Sequence, residues 1–272
     1  MKYNFFLFLF FTFFISNSQT INLNESYLTD YLRTSQLLGE FKSEMSFTLR
    51  PLDIGKNGLG INKEIFDTEK YAPTVLNFLK GNGKIKILPI DYNIEFNSHH
   101  PYNRNNGSMI PNRGYQQLVS FGFHAELGPL SIQFKPESIY AENRNFEGFP
   151  DSHYGITWAR RYTLWNSIDM PERFGENAYK KSLFGQSSIR LNYKGLSLGL
   201  SSENIWWGPS IRNSIMMSNQ AQGFNHITFN TTRPMKTAIG NFEWQLVTGR
   251  LEGSGFKPPS PDQTFGSTNL YV

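Results

Sequence analysis

From residue 84 onward, apolar and polar residues take turns along the chain. Asp91, Asn93 and Glu95 separate Ile90, Tyr92, Ile94 and Phe96, and Ser120, Gly122, His124 and Glu126 separate Val119, Phe121, Phe123, Ala125 and Leu127. The same alternation runs through residues 130–134, 189–193, 196–200, 227–229 and 242–246. A period of two sends successive side chains to opposite faces of a strand. Seven antiparallel strands are therefore predicted, each with one apolar and one polar face, and one or two more between residues 139 and 165, where the pattern is poor. Alternation does not say which face is inside. In a soluble barrel or sandwich the apolar face looks inward. In a transmembrane barrel it meets lipid, and the polar face lines the lumen.

Before the strands the spacing is helical. Leu28, Tyr31, Leu32, Ser35 and Leu38 recur every three or four residues and predict a helix within 21–40, with Gly39 suited to its C-cap. A second helix is expected over 64–80, capped by Asp67 or Thr68, interrupted by Pro73 and ended by Gly81-Asn82-Gly83. The strand connections differ in length. Gly128-Pro129 and Lys194-Gly195 are tight turns, whereas 97–113 and 207–223 are long and polar or glycine-rich. Short turns at one end and long loops at the other are the habit of outer-membrane barrels. Tyr92, Phe96, Tyr115, Tyr140, Tyr193, Trp206 and Trp207 fall near strand ends, where an aromatic girdle would sit.

The N-terminus bears on that choice. Lys2 precedes an apolar run at 5–15, broken only by Thr12, and Ser16-Asn17-Ser18 follows. This is a secretory signal peptide, with Gln19 as the expected first residue of the mature protein. The expected layout is a signal peptide at 1–18, an N-terminal periplasmic helical segment at 19–83 and an antiparallel barrel, incomplete as it stands, at 84–272. The expected location is the outer membrane of a Gram-negative cell. The chain has no Cys, which removes disulfides, thiolate catalysis and Cys-ligated metals. Net charge is +4 with no basic block, so nucleic acid is not an expected partner. Outer-membrane lipid is.

Residues 186–256 carry a resemblance. The hairpin at Tyr193-Lys194-Gly195, the run Glu203-Asn204-Ile205-Trp206-Trp207-Gly208-Pro209 and the segment Met216-Met217-Ser218-Asn219-Gln220-Ala221 lead it. Pro234, Gly240-Asn241-Phe242-Glu243-Trp244-Gln245 and Gly249-Arg250-Leu251-Glu252 complete it, with residues 41–52 and their Arg50-Pro51 as a fainter match. Together these resemble the Wzi-type capsule-assembly family of outer-membrane proteins. The resemblance implies a large outer-membrane barrel with a small helical element on the periplasmic side, holding capsular or extracellular polysaccharide at the cell surface in a lectin-like way. That barrel has more strands than are found here, and the chain stops at Asn269-Leu270-Tyr271-Val272 without an obvious closing strand, so it is expected to be the N-terminal part of a longer protein or a truncated gene product.

Two clusters then become candidates for sugar contact. Trp206 and Trp207 offer indole faces for pyranose rings, with Glu203, Asn204, Arg212 and Asn213 to bond hydroxyls. The bland alternative is an interfacial anchor and a loop fixed by Gly208 and Pro209. Arg160 and Arg161, between Trp158 and Trp165, offer bidentate contact to uronate carboxylates, or serve as ion pairs inside the lumen. Adjacent His99 and His100 do not converge as metal ligands, and no cofactor is expected. Asn106-Gly107-Ser108 fits a glycosylation sequon and equally a loop turn. The carboxylates Glu203, Glu243, Asp151 and Asp169 could supply a pair for glycoside hydrolysis, and spacing in sequence does not give their separation across a barrel; no hydrolase, P-loop or dinucleotide motif is present, and the protein is not expected to be an enzyme. The alternatives kept open are a porin-like diffusion channel and a soluble periplasmic β-barrel binding protein or hydrolase.

Overall fold

The computed structural model describes residues 20–23, 26–40, 46–53, 75–150 and 152–256. The expected signal peptide, the first part of the second expected helix (64–74) and the C-terminal residues 257–272 lie outside that range.

The chain begins with an N-terminal unit made of β1 (Thr20–Ile21), α1 (Ser26–Leu37), β2 (Leu49–Arg50) and β3 (Leu52–Asp53). The amphipathic spacing forms α1, over a shorter stretch than the expected 21–40, since Ile21 pairs with Leu52 in a strand. Leu32 packs onto Ile21, Phe47 and Leu52, flanked by Leu28 and Tyr31, while β1 pairs with β3. Gly39, at φ +77°, ends the helix in a left-handed cap, with the Leu38 N–H still reaching the Thr34 carbonyl.

The main sheet opens with β4 (Val75–Phe78), β5 (Gly83–Asn97), β6 (Gly114–Leu127), β7 (Leu130–Phe134) and β8 (Glu137–Ala141). After helix α2 (Gly155–Ser167) it continues with β9 (Tyr179–Leu183), β10 (Ser188–Tyr193) and β11 (Leu196–Ser201). The two-residue β12 (Trp206–Trp207) leaves the sheet, and β13 (His226–Thr231) returns to it. A small hairpin of β14 (Met235–Thr237) and β15 (Gly240–Phe242) precedes β16 (Gln245–Gly249). Strand order is β16-β13-β11-β10-β7-β6-β5-β4, with β8 pairing β6 and β9, ten strands in all. The long strand β6 pairs β7 through Phe123–Leu127 and β8 through Gln116–Ser120. Every neighbouring pair is antiparallel, an up-and-down meander. Its end strands β4 and β16 have one partner each among the described residues.

The register separates the two ends of the sheet. Leu127 pairs with Leu130 and Tyr193 with Leu196, which makes Gly128-Pro129 and Lys194-Gly195 two-residue turns. Lys194 and Gly195 both have positive φ (46° and 89°), the conformation that matches a hairpin's twist. At the opposite end lie the long connections 98–113, 142–178 and 202–225.

The faces are inside out by the standard of a soluble protein. Ile189, Leu191, Leu198, Leu200, Ile227 and Leu246 are all about half exposed or more. The residues between them, Ser188, Arg190, Asn192, Ser197, Ser201, His226 and Thr228, are buried. Gln133, Lys135 and Glu137 continue that buried polar row, and the Lys135 ammonium lies 2.6 Å from Asp91. Gly199 is needed where this face closes up, because a Cβ there would lie 2.2 Å from the Ile189 carbonyl oxygen. The half of the sheet nearer the long loops adds a small apolar cluster of Met109, Leu118 and Ile139 on the same face.

Three sequence expectations are corrected. Residues 75–78 are strand rather than helix, since pairing with residues 83–86 of β5 satisfies their backbone groups. Residues 155–167 are helix rather than strand, and the three- to four-residue spacing of Ile156, Ala159 and Thr163 already fits a helix. The expected strand at 242–246 divides at Glu243-Trp244. There the Thr231 hydroxyl accepts from the Trp244 N–H at 3.2 Å and the Thr231 N–H donates to the Trp244 carbonyl at 3.0 Å, so Phe242 belongs to a hairpin and Leu246 to the sheet.

Candidate functional site

The long-loop end gathers most of the residues singled out in the sequence. After Ser201 the chain turns onto the polar face instead of extending β11. Glu203 follows Ser202 in this stretch and is fully buried. Its carboxylate accepts from the Arg190 guanidinium at 2.8 Å, from the Ser201 hydroxyl at 3.0 Å and from the Thr20 hydroxyl. Gln133 donates to the same Thr20 oxygen at 3.0 Å. Burial alone would raise the Glu203 pKa, but the Arg190 charge and these hydrogen bonds outweigh it and hold the carboxyl below its ordinary value. One carboxylate thus joins three parts of the chain: the sheet, the inbound segment and the start of the N-terminal unit.

Asn204 is buried beside it, donating to the Ala221 carbonyl at 2.6 Å and accepting from Gln186 at 2.9 Å. Trp206 pairs with Arg50 and Trp207 with Leu49 across β12 and β2. The Arg50 guanidinium lies 4.7 Å from the centre of the Trp206 ring, and its Nη2 donates to the carbonyls of Gly208 and Ser210. Burial, helped by the Arg33 charge and opposed by Asp30, lowers the Arg50 pKa to about 10, so it stays charged at neutral pH. The Trp207 indole N–H donates to Gln245 at 2.6 Å. The Trp-Trp-Gly-Pro run is therefore held by the N-terminal unit and β16, and Trp206 is only 3% exposed.

The remaining candidates sit apart. Arg212 and Asn213 are exposed in the 202–225 loop, where Asn213 accepts from Arg104 at 2.9 Å and the Arg212 carbonyl accepts from Asn105 at 2.9 Å. Two further bonds, Gly107 N–H to the Asn219 carbonyl at 2.8 Å and Asn105 N–H to Gln220 at 3.0 Å, knit loop 98–113 to loop 202–225. Arg160 is exposed on α2. Arg161 lies 4.4 Å from the Phe149 ring centre and bonds Glu172 at 3.1 Å. The side chain of Trp158 is outside the described residues.

Sequence reasoning passed over the surroundings of this knot. A cleft of about 440 Å³ opens between α1, β5 and the two knitted loops, lined among others by Asp30, Arg50, Asn93, Glu95, Asn106 and Trp206. Asp30 belongs to a helix read only for its apolar stripe, and Asn93 and Glu95 are polar partners in an alternation read for its apolar members. No group of three His, Cys, Asp or Glu able to hold a metal occurs among the described residues.

Comparison with known families gives one match. The family model described as capsule assembly protein Wzi matches residues 97–269. No curated protein and no solved structure matches the chain.

Proposed function

The chain belongs to the Wzi capsule assembly family, and from that premise we propose that it forms part of an outer-membrane β-barrel that holds capsular polysaccharide at the cell surface by non-covalent contacts. The observation that carries this reading is the orientation of the sheet. Phe121, Ile189, Leu191, Leu198, Leu200, Ile227 and Leu246 face outward while Arg190, Gln133, Glu203 and Lys135 are buried. In water that arrangement would leave an apolar sheet face exposed and an ionic interior to desolvate. Against hydrocarbon, the apolar side chains meet the medium they match, and the polar face lies inside. No described helix is long and apolar enough to cross a membrane, so strands are the spanning elements on this reading. Closure of the sheet into a barrel is part of the proposal.

Long loops of such barrels face the cell exterior. That end carries exposed Arg160, Arg212 and Asn213, which can bond hydroxyls or carboxylates of a glycan. Glu203, Asn204, Arg161 and Trp206 support these loops from within. Many weak contacts along a repeating polymer would add up through multivalency. The N-terminal unit rests against the polar face through Thr20 and Asn22, which favours a filled interior over an open diffusion channel.

The test is cell fractionation joined to a capsule assay. The full-length protein should float with outer-membrane lipid, and its deletion should release polysaccharide into the medium while total synthesis continues. Recovery of the protein in the osmotic-shock fluid, or unaltered capsule retention in the deletion strain, would overturn the proposal.

A further inference from the structure

The cleft beside α1 contains two buried donors with nothing to donate to. Trp206 Nε1 and Arg50 Nε have no hydrogen-bond partner among the described residues, although their side chains are 97% and 94% buried. A buried polar group without a partner costs about 1–3 kcal/mol, so such groups point to a missing acceptor. Both residues line the same cleft. Its volume of about 440 Å³ falls within the range of about 300–1,000 Å³ typical of small-molecule sites.

The walls say which acceptor fits. Of the charged lining residues Asp30 and Glu95 carry carboxylates and Arg50 a guanidinium, with the Arg33 charge acting on Arg50 from nearby, so an anionic group gains no net attraction there. A hydroxyl accepts from the indole or guanidinium N–H and donates to a carboxylate in the same contact. Asn93 and Asn106 add amide groups able to do both. We propose that this cleft binds an uncharged, hydroxyl-rich sugar unit of a glycan, presenting adjacent hydroxyls to Arg50 and Trp206 on one side and to Asp30 and Asn93 on the other. The inference rests on the polysaccharide reading above and deepens it in two ways. The N-terminal unit supplies half of the binding site, and the recognised group is neutral rather than a uronate.

The experiment uses the full-length protein in detergent and two probes: capsular polysaccharide purified from the host strain, and the same polymer after its carboxyl groups are reduced to alcohols. Asp30→Ala and Asn93→Ala alter exposed residues of the cleft and spare the buried donors. Circular dichroism and urea midpoints serve as folding controls, with Lys84→Ala, exposed near the other end of β5, for comparison. The double variant should weaken binding of both polymers about tenfold, the loss expected for roughly two hydrogen bonds, and wild type should hold the reduced polymer at least as well as the native one. Normal binding by a folded double variant would overturn the cleft assignment, and loss of wild-type binding on carboxyl reduction would overturn the neutral-ligand claim. If wild-type protein binds neither polymer, the polysaccharide reading itself fails.

Discussion

The N-terminal unit and the sheet obey opposite rules of burial within one chain. In the unit, Leu32, Ile21, Phe47 and Leu52 turn toward one another, and Asp30 and Thr34 of α1 are exposed. In the sheet, Leu198 and Leu200 turn away from the rest of the protein while Ser197 and Ser201 turn toward it. The first pattern is what water imposes. The second pairs the backbone between strands, turns polar side chains inward and suits hydrocarbon outside. The two regions meet on the polar face of the sheet, where ions and hydrogen bonds from Thr20 and Asn22 make the joint.

That joint is where the comparison breaks most severely. Glu203→Ala leaves the Arg190 guanidinium buried without its carboxylate, which costs about 3–5 kcal/mol. A matching drop in unfolding free energy, with proteolysis of the N-terminal unit at lower denaturant, should appear in urea titrations of the detergent-solubilised protein. Leu32→Ala removes the centre of the apolar cluster with Ile21, Phe47 and Leu52 and should cost about 2–5 kcal/mol. Limited proteolysis should then show α1 released while the sheet remains resistant. Leu198→Lys tests the opposite rule. A cation on the outward face should cost about 2–4 kcal/mol in vesicles if that face meets lipid, and almost nothing if it meets water.

Smaller effects sharpen the picture. The Glu203 carboxyl has a lower pKa in the folded protein than in the unfolded chain, so its stabilisation is complete above the ordinary value of 4.5 and is lost as pH falls through the depressed folded value. The joint should therefore hold across neutral and mildly acidic pH and loosen only below 4.5, a transition that protease susceptibility against pH would follow and that Glu203→Gln would abolish. Arg160→Ala, on an exposed helix position, should leave the urea midpoint unchanged within about 0.5 kcal/mol and reduce polysaccharide retention slightly.

The sequence made the sheet legible because alternation is a strong signal wherever one face is apolar. Residues 189–201 fold into the hairpin that their pattern and Lys194-Gly195 turn specify. The segments misread were those where pairing or a break decides the outcome. Val75, Leu76 and Phe78 carry an apolar run that suits a helix or a strand, and only the adjacent β5 settles it. The region 155–167 follows a loop, and the search for period two there hid a period nearer four. The site was less legible than the fold. Trp206 and Trp207 stand out by residue type, yet what they touch depends on Arg50 and Leu49, more than 150 positions away. Arg190 and Gln133 read as ordinary polar partners in strands, and their role emerges only once Thr20 and Glu203 are brought between them.

Thr20 bears on the order in which the protein comes together. It is buried against Glu203, 183 positions further along the chain, and against Gln133. The partners that receive it come from separate strands and from the stretch after β11, so its seat exists only once those parts have met. The N-terminal unit is therefore among the last pieces to dock, and it acts as the keystone of the polar interior.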